Sequence, residues 1–169
     1  KSAPVLSRPG DIWDLDRHVL VCGSALESDP YEALLADDQV AMVITDPPYN
    51  VRVNGHVRGD GAVRHREFVM ASGEQTPEEF TTFLGTSVER MVSVCAPGAL
   101  IYICMDWRHQ AELHSATLSC GLAQLNLIVW AKTNAGMGSF YRSQHELIGL
   151  YKVPGAGHTN NVQLGRFGR

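Results

Sequence analysis

The chain has 169 residues, of which 44% are hydrophobic and 19% are charged, proportions that are ordinary for one globular domain with its own core. This composition excludes collagen-like, disordered and disulfide-rich proteins, and the lack of a long apolar run or apolar leader favours a cytoplasmic protein without a membrane partner. The net charge of −4 argues mildly against a nucleic-acid partner, unless basic residues are grouped in one part of the chain.

Basic residues are grouped in two segments. Residues 51–66 contain one acidic residue and four arginines, and residues 152–169 contain three basic residues and no acidic one. The four arginines of the first segment are Arg52, Arg58, Arg64 and Arg66. Local basic segments on an acidic body favour an enzyme that contacts DNA phosphates along one face, with a plain solvated surface as the alternative.

The first third of the chain predicts a hairpin, a short helix and a strand. The hairpin spans residues 11–22, and Asp29-Pro30 opens the helix. The run Val40–Thr45 is apolar and rich in β-branched residues, which is typical of a strand buried on both faces in a parallel sheet. Asp46-Pro47-Pro48 ends this strand, because two prolines cannot continue a hydrogen-bonded ladder.

The rest of the chain alternates helices with strands. Residues 51–75 are glycine-rich and predict a mobile loop, after which Thr76-Pro77-Glu78-Glu79 begins a helix with a capping box. A strand is predicted at 99–105, followed by a helix from 106 to 119 that Asp106 caps and Gly121 follows. Two further strands are predicted within 122–132 and at 145–152, and residues 153–169 predict a loop or tail. The βαβ spacing predicts one α/β domain over residues 1–169, with a mostly parallel sheet, helices on both faces and a last strand that can be antiparallel.

The cysteines, histidines and tryptophans are interpreted as structural. The four cysteines show no CxxC spacing and lie in or beside apolar stretches, which indicates buried free thiols. The histidines lack the paired spacing of metal ligands, so no metal is expected. Trp13 and Trp130 lie in apolar strand patterns and are expected in the core.

Residues 46–49 supply the chemistry that a flipped-out nucleobase needs. In an open α/β sheet, ligands bind beyond the carboxyl ends of the strands, where these residues are predicted to lie. Asp46 and the Pro47 carbonyl can accept hydrogen bonds from an exocyclic amino group, while Tyr49 offers a ring to replace lost stacking and Pro48 stiffens the turn. Accepting both N–H bonds makes the nitrogen lone pair available, which promotes catalysis where the interaction strengthens in the transition state.

The stretch Thr45-Asp46-Pro47-Pro48-Tyr49-Asn50 resembles the signature of amino-methyltransferases that act on DNA. The resemblance runs from about Gly10 to Arg169 and extends to Gly10-Asp11-Ile12-Trp13, His18–Gly23, Ala96–Ala99, Trp130-Ala131-Lys132 and Arg142–Glu146. Gly138–Arg142 and Asn160–Arg166 are similar to a subgroup that is often fused behind a ParB-like domain. The motif order is that of the group in which DPPY precedes the glycine loop for S-adenosylmethionine (AdoMet).

The resemblance implies a Rossmann-like, AdoMet-dependent DNA methyltransferase. The implied catalytic residues are Asp46, Pro47, Pro48 and Tyr49. The implied cofactor-binding residues are Gly23, Ser24, Thr45 and Asp46, although many relatives carry aspartate where this chain has Ser24. The implied base-pocket and DNA-contacting residues are Asn50, Arg52, Arg58, Arg64, Arg66, Phe140, Arg142 and His145.

The family's F-x-G-x-G loop for AdoMet is missing from the chain. In this motif order the loop follows the region where the chain stops, so a partial fold is expected, with about half of the sheet and without the cofactor-loop half. We expect such a fragment to be inactive alone and to self-associate through its exposed half-sheet.

Adenine N6 is the leading acceptor, because cytosine-N4 relatives more often carry serine at the position of Asp46. A cytosine-N4 methyltransferase is the alternative with the same chemistry, and a protein-glutamine methyltransferase, which usually has asparagine there, is disfavoured. A non-catalytic DNA-binding or interaction fragment is the alternative of another class, which the missing glycine loop favours.

Overall fold

A computed structural model of the chain describes residues 6–51, 69–133 and 140–163. Within these ranges a two-stranded hairpin precedes a four-stranded sheet and three α-helices. The elements are β1 Ile12–Leu15, β2 His18–Val21, α1 Asp29–Leu35, β3 Val40–Thr45, α2 Pro77–Ser93, β4 Cys95–Met105, a 3-10 turn Trp107–His109, α3 Gln110–Ser119, β5 Ala123–Ala131 and β6 His145–Lys152.

The four-stranded sheet has the order β3-β4-β6-β5. β3 and β4 are parallel, whereas β6 is antiparallel to both β4 and β5, so β3, β4 and β5 run in one direction. The common direction predicted for these three strands is confirmed, as is the antiparallel last strand. The sheet is nevertheless mixed rather than mostly parallel, because β6 inserts between β4 and β5 and provides the neighbour of each.

The helix boundaries follow from hydrogen bonds between residues close in sequence. Thr76 Oγ1 accepts from the Glu79 amide at 3.2 Å, and the Glu79 carboxylate accepts from the Thr76 amide at 2.8 Å, which confirms the capping box. Asp106 accepts from the Arg108 amide at 2.9 Å and so caps the 3-10 turn that leads into α3. Gly121, at φ +74°, follows α3 in the left-handed conformation that was expected of it.

Strand β4 begins at Cys95, earlier than the predicted start at residue 99. Gly98 continues the hydrogen-bonded ladder, because its amide donates to the Val153 carbonyl at 3.0 Å. Its φ is +83°, in the region that favours glycine. A Cβ at this position would lie 2.4 Å from the Gly157 carbonyl oxygen. Pairing with the segment after β6 thus extends the strand back through Pro97 and Gly98.

The core lies between one face of the sheet and the helix pair α2 and α3. Its residues alternate along β4 and recur at helical spacing, as expected for one covered sheet face. They include Phe80, Leu84, Val88 and Met91 of α2, Ala99, Ile101, Ile103 and Met105 of β4, and Leu113 and Ala116 of α3. The sequence predicted helices on both faces of the sheet, and within the described residues the helical layer is the one formed on this face by α2 and α3.

On the opposite face of the sheet, the two outer strands β3 and β5 expose apolar side chains. Met42 and Ile44 of β3 are 56% and 70% exposed, so the prediction that β3 is buried on both faces is wrong. The reason is that β3 is an edge strand whose second face no described residue covers. Trp130, on the same face of β5, is 60% exposed and Trp13 on the hairpin is 43% exposed, so their assignment to the core is also wrong.

The four cysteines are free, as predicted, but only Cys95 is buried, and Cys22, Cys104 and Cys120 are partly buried. Among the described residues, no group of three or more His, Cys, Asp or Glu side chains is placed to hold a metal ion. No helix in the same ranges is long and apolar enough to cross a membrane.

Candidate active site at the carboxyl edge of the sheet

Polar side chains from four strands meet at one edge of the sheet. Because β3, β4 and β5 run in one direction, their carboxyl ends lie together, and the antiparallel β6 begins there. This arrangement brings Asp46 after β3, Asp106 after β4, Lys132 after β5 and Glu146 near the start of β6 to a common edge. It is the position at which open α/β sheets bind ligands.

The predicted catalytic turn is held by a hydrogen bond between two of its own residues. The Tyr49 hydroxyl donates to Asp46 Oδ1 at 2.5 Å. Burial, and then this hydrogen bond, raise the pKa of Tyr49 well above its usual value, so its hydroxyl remains a donor at and above neutral pH. Within the described ranges Asp46 Oδ2 has no hydrogen-bond partner, which leaves it free to accept from a ligand.

Glu146 and Cys104 belong to the same site. The charge of Glu146 adds to the effect of Asp46 in raising the pKa of Tyr49. Burial, followed by the charges of Asp46 and Glu146, raises the pKa of the Cys104 thiol. The sheet register agrees, because Thr45 pairs with Ile103 and Cys104 pairs with Ile148, which brings Asp46, Cys104 and Glu146 to the same end of the sheet.

Lys132 forms an ion pair with Glu146. Its backbone is tied to the segment before β6, because the Lys132 amide donates to the Gln144 carbonyl at 2.8 Å and Gln144 Nε2 donates to the Lys132 carbonyl at 2.9 Å. Glu146 therefore holds the ammonium group of Lys132, and Gln144 holds its backbone.

A small cavity of about 70 Å³ opens beside this pair. It is lined by Met105, Asp106, Trp107, Lys132, Ser143, His145, Glu146 and Leu147. A wider, open depression of about 460 Å³ between α2 and α3 is lined by none of the predicted site residues. Of the site residues predicted from the sequence, His145 lines the smaller cavity, together with Asp106, Lys132 and Glu146 at the same end of the sheet.

The predicted cofactor residues Gly23 and Ser24 form a turn packed against α1. A Cβ on Gly23 would lie 2.4 Å from Pro30 Cγ, so packing alone requires glycine there. Ser24 Oγ accepts from the Leu26 amide at 3.3 Å. Thr45 ends β3 opposite Ile103 and leads directly into Asp46.

The predicted base-pocket and DNA residues are found in different settings. Phe140 is 86% exposed and packs edge-on against Tyr141, Arg142 is exposed, and His145 lines the small cavity. Asn50 is buried, and its amide bonds to backbone groups of the chain. Arg52, Arg58, Arg64 and Arg66 lie outside the described residues.

Sequence reasoning did not assign Lys132, Glu146, Cys104 or Asp106 to the site. Lys132 and Glu146 do stand in stretches that resemble the methyltransferase family, next to the ends of predicted strands. Their pairing follows from the antiparallel register of β5 and β6, in which Ala131 lies opposite His145.

Comparison with known proteins identifies the family. The family model that matches is N6_N4_Mtase, described as DNA methylase, and it covers residues 40–166. No curated protein matches the chain. The stretch matched by the family model contains the catalytic turn and all the strands of the larger sheet.

Solved structures share the fold at low sequence identity. The complex of M1.HpyAVI with SAM gives a TM-score of 0.53 at 16% identity, covering 82% of this chain and 56% of that chain. M1.HpyAVI alone gives 0.50 at 16% identity, covering 78% and 55%. TTHA0409 from Thermus thermophilus gives 0.49 at 20% identity, covering 76% and 52%.

The chain therefore spans little more than half the length of the solved proteins it matches. The likeness to M1.HpyAVI confirms the partial Rossmann-like α/β fold that was predicted. The family model covers well over half of the 169 residues, and the chain thus belongs to the N6/N4 DNA methylase family.

Proposed function

We propose that the protein transfers a methyl group from AdoMet to the exocyclic amino group of a DNA base, with adenine N6 as the acceptor. The observation that carries this proposal is the geometry of Asp46 at the carboxyl edge of the sheet, where Oδ1 accepts from Tyr49 and Oδ2 has no hydrogen-bond partner among the described residues. Family membership and the SAM complex of M1.HpyAVI support the cofactor. A DNA substrate favours the cytoplasmic location expected from the sequence.

The amino group is the part of the base that this edge would activate. Its lone pair is delocalised into the ring, and Asp46 Oδ2 together with the Pro47 carbonyl would accept its two N–H bonds. A more tetrahedral nitrogen would then present its lone pair to a bound methyl donor. Positive charge would develop on this nitrogen, where the carboxylate of Asp46 would stabilise it more in the transition state than in the ground state, and one N–H proton would then leave to solvent.

The residues at this edge fit a cationic methyl donor. The carboxylate of Asp46 would provide negative charge toward a sulfonium, whereas the charge of Glu146 is balanced by Lys132. Thr45 leads directly into Asp46. Bound AdoMet would supply the methyl group as an electrophile. Gly23 and Ser24, in the turn before α1, are proposed to line the cofactor side, where the close packing on Pro30 keeps the backbone in place.

The base and the DNA are proposed to lie on the outer side of the same edge. Tyr49 and His145 would contact the flipped base, with Pro48 keeping the turn rigid. Phe140 and Arg142 are exposed and would contact the DNA strand, by stacking and by a phosphate contact respectively. Arg52, Arg58, Arg64 and Arg66 are proposed as further phosphate contacts.

The test is transfer of labelled methyl from AdoMet to unmethylated DNA, with the product base identified by mass spectrometry. We expect N6-methyladenine from the full-length protein and far less from the 169-residue chain. Asp46→Ala and Asp46→Asn should abolish transfer while DNA affinity stays within about threefold, and Asp14→Ala on the exposed hairpin is the matched control. N4-methylcytosine would move the assignment to cytosine, and normal turnover in Asp46→Ala would refute the catalytic role.

We further propose that the isolated chain self-associates through the exposed side of its sheet. Met42 and Ile44 present apolar side chains on the edge strand β3, and exposed strand edges pair with other chains. Sedimentation of the 169-residue chain should show dimers or larger species, and Ile44→Lys should restore a monomer. A wild-type monomer at all concentrations would contradict this.

A further inference from the structure

Asn50 directly follows the catalytic turn and is nearly enclosed. Its relative exposure is 8%, and its φ of +52° lies in the left-handed region, where asparagine is one of the few tolerated residues. Its Oδ1 accepts from the amides of Gly73 at 3.0 Å and Gln75 at 3.2 Å, and its Nδ2 donates to the Gln75 carbonyl at 2.9 Å. Three hydrogen bonds therefore join the end of the turn to a backbone segment more than twenty residues later.

The segment that Asn50 contacts is itself well ordered by local bonds. The Glu74 carboxylate accepts from the amides of Ala71 and Ser72, each at 2.6 Å. These backbone hydrogen bonds, including one within Glu74 itself, hold the pKa of Glu74 below its usual value. Ala71 is fully buried in the core, so this short segment is anchored and does not merely follow Asn50.

The same segment leads without a break into helix α2. Gln75 precedes Thr76, the N-cap residue of the capping box, and the helix packs its buried face against β4. A rigid path thus connects the core, through α2 and Gln75, to Asn50 and then to Tyr49.

We propose that Asn50 is a positioning residue that fixes Tyr49 and Asp46 by clamping the end of the catalytic turn to the start of α2. This inference rests on the proposed function, and it differs from the sequence expectation that Asn50 contacts the base. Both lone pairs of Oδ1 are used within the chain, and the side chain is buried. Asn50 therefore acts through its neighbour.

Three substitutions separate the clamp from the backbone conformation. Asn50→Gly removes all three hydrogen bonds but allows the positive φ, and Asn50→Asp keeps the shape but replaces the donor to the Gln75 carbonyl by an oxygen. Asn50→Ala adds backbone strain to the loss of the clamp. Asn126→Asp, on the exposed face of β5, is the matched control.

The clamp has readouts that do not depend on catalysis. In Asn50→Gly, the amides of Gly73 and Gln75 should exchange hydrogen at least about tenfold faster than in the wild type, whereas in Asn50→Asp a carboxylate oxygen can still accept from both amides and only the Gln75 carbonyl loses its donor. The ¹³Cζ resonance of Tyr49, assigned by its absence in Tyr49→Phe, should move toward that of a solvated tyrosine. Unchanged exchange and an unchanged resonance would overturn the proposal.

The effect on positioning is read from the kinetics of the full-length protein. Both variants should lower kcat roughly ten- to a hundredfold, as expected when reacting groups are misplaced by about 1 Å, with the KM for AdoMet changed less than threefold. Faster exchange with an unchanged kcat would overturn the positioning role. If Asn50→Gly lost its cooperative thermal transition, and so did not fold, the kcat of Asn50→Asp would decide whether Asn50 positions the catalytic turn.

A wild-type enzyme without methyl transfer would refute the proposed function by itself. The exchange and resonance measurements would still decide whether the clamp exists and holds Tyr49.

Discussion

Replacing Tyr49 by phenylalanine removes one hydroxyl and tests whether the hydrogen bond to Asp46 contributes to catalysis. The bond is 2.5 Å long and its acceptor is a carboxylate. Asp46 is exposed and Tyr49 is partly buried, so we take about 1.5 kcal/mol, the lower end of the range for hydrogen bonds to charged groups. Since about 1.4 kcal/mol corresponds to a factor of ten in rate, kcat should fall roughly tenfold.

The assay is single-turnover methyl transfer to DNA by the full-length protein, from pH 6 to 9. Because the pKa of Tyr49 is raised, the wild-type hydroxyl stays protonated across this range, and the ratio of the two rates should not change with pH. Tyr49→Ala also removes the ring and should cost a further factor of roughly 10 to 100, as expected for a lost base–aromatic stack.

Tyr31→Phe is the matched control, because Tyr31 also donates a hydrogen bond, to the Ala25 carbonyl at 3.1 Å, but lies on α1. It should leave kcat unchanged. The reasoning is refuted if Tyr49→Phe retains the wild-type rate, or if Tyr31→Phe slows transfer equally.

Three further predictions concern stability, measured by urea unfolding. Gly98→Ala should lower the free energy of unfolding by at least roughly 1–3 kcal/mol from its positive φ alone, and a clash with Gly157 adds to this cost. Gly85→Ala in α2, which has open space at its Cβ, should instead raise the free energy of unfolding by about 0.5–1 kcal/mol. Equal effects of the two substitutions would contradict the geometry. Thr76→Ala should cost about 0.5–2 kcal/mol through loss of the capping box, and a cost near zero would count against the cap. Burial raises the pKa of Tyr151 above 10.0, so the unfolded chain loses this proton first. Stability should therefore fall as the pH rises above about 10, and Tyr151→Phe should flatten that slope.

Much of the local structure could be predicted because it depends on neighbours in sequence. The capping box at Thr76 and the left-handed Gly121 are short-range features, and β6 was predicted with the bounds the structure has, 145–152. The end of β3 at Thr45 was also predictable from the sequence, since two prolines after an apolar run end a strand wherever the sheet lies.

Environment was harder to predict than conformation. Ile44 has the side chain of a buried strand residue, yet it is 70% exposed because β3 lies at the sheet edge. Asn50 has the side chain of a surface residue, yet it is buried by backbone groups from residues 73–75. In each case the surroundings come from a distant part of the chain.

By itself the sequence determined most of the elements and the family, and it predicts the catalytic role of residues 46–49. The tertiary structure decided the strand order, and the strand order decided which residues β6 contributes to the site. Glu146 lies at the same end of the sheet as Asp46, a hundred residues away in sequence, because β6 inserts antiparallel beside β4. The physical reason is that a strand's periodicity specifies which of its faces is apolar but not which strand it pairs with, and that choice depends on competition among all strands of the folded chain.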